Sequence, residues 1–113
     1  MSDCIFCRIV NKEIPSQIVY EDEDVIAFKD INPVAPVHLL VIPKQHFKDL
    51  NSTTSVDENL LGHILSVANS LATEFGVSES GYRVVTNIGK DGGQLVQHLH
   101  FHMIGGKMLS KIG

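Results

Sequence analysis

The spacing of apolar residues predicts one long amphipathic helix in the middle of the chain. Between residues 55 and 76, apolar side chains recur at intervals of three and four residues, as on one face of a helix. Ser55 and Glu58 have the spacing of a capping box, and Gly76 can end the helix in the left-handed conformation. The apolar stripe comprises Leu61, Ile64, Leu65, Ala68, Leu71, Ala72 and Phe75.

The first 45 residues predict a short helix followed by strands. Residues 4–14 have apolar pairs four positions apart, which indicates a short helix ended by Pro15. Residues 17–30 predict two short strands around the acidic turn 21–24. Residues 37–43 form a nearly continuous apolar run, which is typical of a central strand.

The last third of the chain predicts a second pair of strands. Residues 81–89 predict a strand, residues 90–94 a flexible turn, and residues 98–106 a final strand. The whole order predicts one α+β domain over residues 1–113, with a mainly antiparallel sheet and both helices packed to one side.

Composition and charge exclude several classes of protein. A chain of 113 residues suits one domain with a modest core. The formal net charge is −4 and the cations are scattered, so we expect no general nucleic-acid binding, although a small anionic ligand is compatible. The first ten residues lack the basic region followed by an apolar run that is typical of a signal peptide, and no apolar run is long enough to cross a membrane. We therefore expect a cytoplasmic protein without a signal peptide or membrane segment.

The most unusual feature is the alternation of three histidines near the C-terminus. On a strand His98, His100 and His102 share one face. The positions between them are apolar: Leu99, Phe101 and Met103. The histidines could be exposed polar residues, metal ligands, or a catalytic set in which one imidazole attacks and a neighbour protonates a leaving group. Three random polar positions would seldom all be histidine, which favours the last two interpretations.

The histidine motif and its flanking residues resemble those of a known family. Residues 98–104 resemble the His-φ-His-φ-His-φ-φ signature (φ is an apolar residue) of the histidine-triad (HIT) nucleotide hydrolases and transferases. Residues 4–46 are similar to the N-terminal half of the Hint branch, and residues 81–94 to its approach to the triad. The resemblance implies the HIT fold and a hydrolase for purine nucleoside 5′-phosphoramidates of the AMP–amine type. It also implies a homodimer joined through the long helix and the last strands.

The resemblance assigns roles to the histidines. It implies that His100 attacks phosphorus and carries a nucleotidyl intermediate, while His102 contacts the phosphate and the leaving group. A backbone carbonyl that accepts a hydrogen bond from the near N–H of His100 would fix the required tautomer. His38 matches the fourth histidine of the family's site, although a lone histidine on an apolar strand is otherwise more often a buried core residue.

The resemblance also implies a nucleoside pocket. Asp30 would accept hydrogen bonds from the ribose hydroxyls, and apolar side chains would contact the base. The implied substrate-binding residues are Asp30, Phe28, Ile31, Ile5, Phe6, Ile9, Asn87 and Gly93. From the sequence alone, Phe28 and Ile31 are better explained as ordinary core residues. Leu95 departs from the family, whose members often carry a polar residue at that position near the leaving group.

The two cysteines have the spacing of half a zinc site. Cys4 and Cys7 alone are ambiguous, since a redox pair or small buried apolar residues would look the same. Some bacterial members of the family with this motif hold zinc, and the matching residues here add His46 and His98. We therefore expect a closed structural zinc site, with no metal required for the chemistry.

Two alternatives remain open at this point. A dinucleoside polyphosphate hydrolase or nucleotidyltransferase would keep the fold and change the substrate. A zinc-containing nucleotide-binding or adaptor protein would keep the site with negligible catalysis. An oxidoreductase using the cysteine pair has little support, because the βαβ context of such pairs is missing from the predicted elements. His63, on the long helix, is expected to have a surface or packing role only.

Overall fold

A computed structural model describes residues 3–112. Within them the chain forms two α-helices and a sheet of five strands. The helices are α1 (Ile5–Val10) and α2 (Glu58–Glu74), and the strands are β1 (Ile18–Glu21), β2 (Val25–Lys29), β3 (Val37–Pro43), β4 (Tyr82–Val85) and β5 (Phe101–Gly105). Short 3₁₀ turns at Leu50–Ser52 and Ser55–Asp57 precede α2.

The sheet has the strand order β1-β2-β3-β5-β4, and every neighbouring pair is antiparallel. The predicted α+β fold, with one short and one long helix, is confirmed. Strand β4 forms one edge of the described sheet, and the predicted homodimer through this region stays a prediction. Neither described helix is long and apolar enough to cross a membrane.

The two helices lie on opposite faces of the sheet, so the prediction that both pack on one side was wrong. Strands β2 and β3 are buried at almost every position, and therefore both faces need a cover. Helix α2 covers the face that carries Val25, Ala27, Leu39, Val41, Phe101 and Met103. Helix α1 places Phe6 and Ile9 against the face that carries Ile26, Phe28, Leu40 and Ile42.

The boundaries of several elements differ from the prediction. The capping box is formed by Thr54 and Asp57, one residue earlier than predicted, because a 3₁₀ turn precedes α2. Within the predicted stripe Ile64, Ala68, Leu71 and Ala72 are buried, whereas Leu65 is 49% exposed. Gly76 has the predicted left-handed conformation, with φ of 75°.

The last two strands are shorter than predicted. Strand β4 ends at Val85 and β5 begins only at Phe101. His98 and His100 therefore precede the strand, and His102 alone of the three histidines lies within it. Leu99, Phe101 and Met103 nevertheless point to the α2 face, as predicted.

Candidate functional site

A cavity of about 530 Å³ opens on the α1 face of the sheet. Helix α1 has only six residues and covers part of this face, which leaves room beside it. The cavity brings together every predicted catalytic and substrate-binding residue: Ile5, Phe6, Ile9, Phe28, Asp30, Ile31, His38, Asn87, Gly93, His100 and His102. The residues predicted from the sequence therefore line one cavity in the described structure.

His100 is held as a neutral imidazole with a defined tautomer. Its Nδ1 lies 2.7 Å from the backbone oxygen of His98. A carbonyl oxygen can only accept, so the proton is on Nδ1 and the Nε2 atom keeps a lone pair. Burial lowers the pKa of His100, outweighing the hydrogen bond to His98 and the charge of Asp30, which raise it. The carbonyl that the sequence analysis required is thus that of His98.

A second chain of hydrogen bonds defines the tautomer of His102. The Val34 N–H donates to Nδ1 of His38 at 3.1 Å, so the proton of neutral His38 is on Nε2. This Nε2 lies 2.9 Å from Nδ1 of His102, which must accept. The proton of His102 is therefore on its Nε2. Val34 was missed by the sequence analysis, because nothing local in the loop predicts that its amide turns back onto His38.

Burial keeps this pair of histidines uncharged. It lowers the pKa of His38, against the raising effect of the Asp30 charge. It lowers the pKa of His102 to about 4, helped by the neighbouring imidazoles of His100 and His38. The carboxylate of Asp30 lies 3.3 Å from Nε2 of His38, a contact that the sequence did not predict.

The inner wall of the cavity is aromatic and apolar. The Phe6 and Phe28 rings meet edge to face, with centroids 5.5 Å apart. Phe28 is almost fully buried, so it belongs to the core and to the cavity wall at once. Ile31 is 88% exposed at the cavity mouth, and its interpretation as a core residue is wrong. One Asp30 oxygen accepts from the Asn32 N–H at 2.8 Å.

The opposite wall is the turn that carries Asn87 and Gly93. The Asn87 amide donates to the Gly92 carbonyl at 2.8 Å, and Gly93 has φ of 80°, which favours glycine. Buried Gln94 fixes this turn, accepting from Gly89 N–H at 2.9 Å and donating to the Lys48 carbonyl at 2.8 Å. Sequence reasoning missed Gln94, whose partner Lys48 is distant in the chain.

Leu95 lies at the mouth of the cavity and is 92% exposed. Together with exposed Ile31 and Val34 it gives the entrance an apolar rim. A leucine there can pack against a ligand but cannot donate a hydrogen bond to it.

Beside the cavity, the predicted metal ligands come together. The donor atoms of Cys4, Cys7, His46 and His98 all lie within 4.8 Å of one another. Nδ1 of His98 is 3.3 Å from the Cys4 sulfur and 3.1 Å from Nδ1 of His46, and the Cys7 sulfur is 3.3 Å from the same His46 atom. Two sulfurs and two imidazoles are a donor set that suits a structural zinc ion.

The orientation of His98 also fits a metal ligand. The ring is fully buried, and its Nε2 lies 2.9 Å from the Pro43 carbonyl, which can only accept. The proton is therefore on Nε2, and the lone pair of Nδ1 faces the other three donors. By contrast, the neighbouring group Asp30, His38 and His102 directs the Nε2–H of His38 inward and does not suit a cation.

A family model matches most of the chain. The model of the HIT domain matches residues 11–109 of the chain. The chain belongs to the HIT domain family. The CxxC pair at Cys4 and Cys7 lies just before the matched residues.

Other HIT proteins resemble this chain over nearly its full length. A histidine triad protein from Clostridium difficile is 49% identical, with a TM-score of 0.95 over 100% of this chain and 98% of that one. A HIT family hydrolase from Legionella pneumophila is 46% identical, with a TM-score of 0.94 and 96% of both chains covered. An uncharacterized HIT-like protein of Synechococcus elongatus is 49% identical over 96% of this chain and 94% of its own length.

Proposed function

We propose that this HIT protein hydrolyses purine nucleoside 5′-phosphoramidates through a nucleotidyl intermediate on His100. One observation carries the proposal: the free lone pair on Nε2 of His100, whose other nitrogen is held by the His98 carbonyl, in a cavity shared with His102. An uncharged imidazole with an available lone pair is a good nucleophile at neutral pH. Similarity to a protein described as a HIT family hydrolase supports hydrolysis in general.

The cavity suits the nucleoside part of such a substrate. The Phe6 and Phe28 rings and Ile9 offer an apolar surface to a purine base. Asp30 has oxygens that accept from the two ribose hydroxyls, which would replace its contact with His38. The backbone N–H groups of the turn around Gly93 and the amide of Asn87 are within the same cavity and suit phosphoryl oxygens.

In the first displacement the Nε2 lone pair of His100 bonds to the α-phosphorus, and the phosphorus–nitrogen bond breaks. The amine leaves with the electrons of that bond and takes a proton from water, which becomes hydroxide. His102 does not supply this proton, because a neutral imidazole whose Nδ1 accepts a hydrogen bond would become an imidazolate. Its Nε2–H instead donates a hydrogen bond to the phosphoryl group as negative charge develops.

In the second displacement hydroxide attacks phosphorus, and the bond between phosphorus and Nε2 of His100 breaks. The electron pair of that bond returns to His100, which is again a neutral imidazole. The sum of both steps consumes one water and yields a nucleoside monophosphate and an amine. Two displacements at phosphorus replace one more difficult attack by water.

The Cys4, Cys7, His46 and His98 set would hold zinc as a structural ion. A bound zinc would add binding energy to the folded state and keep α1 beside the sheet. Neither His100 nor His102 belongs to that set, so both imidazoles stay available for the proposed displacements.

The test compares wild-type protein with His100→Gln on adenosine 5′-phosphoramidate. We expect AMP release and, on rapid alkaline quenching, an adenylyl group on the wild-type chain by mass spectrometry. His100→Gln should lose at least about a thousandfold in kcat/KM, because the nucleophile is removed, with little change in Tm. Full activity of this variant would overturn the mechanism.

The same assay separates the two alternatives. Faster turnover of diadenosine polyphosphates than of the phosphoramidate would favour the polyphosphate hydrolase or transferase. Binding of AMP without turnover of either substrate would favour a nucleotide-binding protein with negligible catalysis.

A further inference from the structure

His98 connects the cysteine–histidine set to the proposed nucleophile. Its imidazole Nδ1 lies among the cluster donors, and its backbone oxygen accepts the hydrogen bond that fixes the tautomer of His100. One residue therefore belongs to both groups, through its side chain and through its main chain.

The segment that carries His98 and His100 is not held by the sheet. The last pairing of β5 with β3 is that of Phe101 with Val41, and both histidines lie before it. Outside a ladder of strand hydrogen bonds, the position of a backbone depends on separate anchors. The orientation of the His100 imidazole therefore depends on whatever fixes residues 98–100.

Two of those anchors are backbone carbonyls that lie on either side of His46 in the chain, and His46 is a member of the cysteine–histidine set. The Pro43 carbonyl accepts from Nε2 of His98 at 2.9 Å, and the Phe47 carbonyl accepts from Leu99 N–H at 2.7 Å. His46 lies between these two acceptors in the chain, and its Nδ1 is 3.1 Å from that of His98. A metal held by His46 and His98 would thus fasten residues 43–47 to residues 98–100.

Helix α1 joins the same two histidines from the other side. Phe6 lies between Cys4 and Cys7, and its ring meets the His98 ring edge-on at 5.9 Å and the His100 ring at 5.1 Å. The thiols and the aromatic contact come from one helical turn. A change in the position of the thiols would therefore also change the contact of Phe6 with His100.

We propose that His98 is a positioning residue through which the Cys4–Cys7–His46 donor set fixes the imidazole of His100. With the donors held by zinc, the His98 carbonyl stays in place and His100 keeps its proton on Nδ1. With a donor removed, residues 98–100 lose an anchor, and the hydrogen bond to Nδ1 weakens. The consequence for catalysis rests on the proposed function, whereas the consequence for the His100 proton does not.

The test uses His46, which is exposed and can be replaced without opening the core. His46→Asn removes a ligand, while His46→Cys keeps a set of four zinc donors, since Cys₃His sites also bind zinc. His63→Asn is the matched control, because it removes a half-buried histidine of α2, which packs on the other face of the sheet. Each protein is purified, equilibrated with zinc chloride, freed of excess metal and assayed for bound zinc.

The decisive readout is the ring N–H signal of His100 in proton–nitrogen NMR, assigned by its loss in His100→Gln. We expect His46→Asn to lose zinc and to exchange the His100 Nδ1 proton with water at least about tenfold faster, as for loss of an orienting partner. We expect kcat to fall by about tenfold with KM nearly unchanged. His46→Cys should retain zinc and slow exchange, and His63→Asn should match the wild type.

Loss of zinc from His46→Asn with unchanged exchange at His100 would overturn the proposal, as would a wild-type protein that takes up no zinc. If His46→Asn does not fold, the same spectra of wild-type protein stripped with a chelator decide the matter, with circular dichroism as the check on folding. A wild type that shows the slow proton but hydrolyses no phosphoramidate would refute the proposed function and leave this coupling standing.

Discussion

The two faces of the sheet are built from the same strands and have different consequences. On one face the 17 residues of α2 seal a continuous apolar core. On the other face the six residues of α1 cover a smaller apolar cluster and leave the cavity beside it. Chemistry is possible only where the cover is incomplete, and the sealed face supplies the rigidity on which the site depends.

The polar groups follow the same division. The histidines of the site all lie on the α1 face: His38, His98 and His100 are buried, and His102 is half-buried. Burial lowers the pKa of each of them and so keeps each ring neutral. A backbone group fixes the proton of His38, His98 and His100. The α1 face can therefore bury these imidazoles because backbone groups of loops and of the end of β3 form hydrogen bonds with them.

The largest effect on stability should come from the sealed face. Leu71→Ala removes a buried side chain of α2, and we expect a loss of about 2–5 kcal/mol in the free energy of unfolding. Leu65→Ala, on the same helix but 49% exposed, is the control and should cost less than about 1 kcal/mol. Urea denaturation measures both. If Leu71→Ala also lowered kcat per folded molecule, packing on the α2 face and catalysis on the α1 face would not be independent.

The sequence predicted those features that depend on the periodic spacing of apolar residues along one element. Alternation assigned Ile26 and Phe28 to one face of β2, and it also assigned Leu99 and Met103 to the core side. It could not assign α1 to a face, because β2 and β3 are apolar on both sides and period alone does not distinguish the two.

The composition of the site was predictable, whereas its proton positions were not. The histidine motif and the family resemblance identified part of the cavity lining, but not Ile14, Leu40 or Val96. The tautomer of His102 depends on the Val34 amide, and that of His98 on the Pro43 carbonyl. These contacts arise from the tertiary course of loops, which has no periodic signature in the sequence.

The pH dependence of kcat/KM tests whether the α1 face keeps its histidines neutral. The proposed mechanism needs both His100 and His102 as neutral imidazoles, each with a single ring proton. Burial lowers both pKa values, that of His102 to about 4. The kcat/KM for adenosine phosphoramidate should therefore be level from pH 8 to below 6.5 and fall only as these groups take up protons in more acidic solution.

Asp30→Asn should shift the acidic limb of this pH profile in a defined direction. The Asp30 charge raises the pKa of both His100 and His102, so its removal should move the acidic limb to still lower pH. The rate itself is expected to fall, since Asp30 is proposed to bind the ribose. A limb centred at or above pH 6.5 in the wild type would mean that the histidines are not buried as neutral rings.

The smallest effect on stability should come from the contact between His63 and Asp22, on the face of the sheet that α2 covers. Nε2 of His63 lies 2.6 Å from the Asp22 carboxylate, which also accepts from Tyr20. Burial raises the pKa of Asp22, but hydrogen bonds from Tyr20, His63 and the turn's N–H groups outweigh it and hold the pKa below its usual range. This contact is partly exposed, so Asp22→Asn should cost only about 0.5–1 kcal/mol near neutral pH.

The Asp22–His63 pair should make stability depend on pH, whereas the cavity histidines should make activity depend on pH. Because the folded state lowers the pKa of Asp22, its contribution is complete above the usual carboxyl pKa and is lost as pH falls through the lower value. The stability gap between wild type and Asp22→Asn should therefore narrow in acid, while Glu23→Gln, in the same turn, should show little gap at any pH. Phosphoramidate turnover should be unchanged in both variants, because the partly exposed Asp22–His63 pair on the α2 side contacts none of the groups that hold His100 and His102.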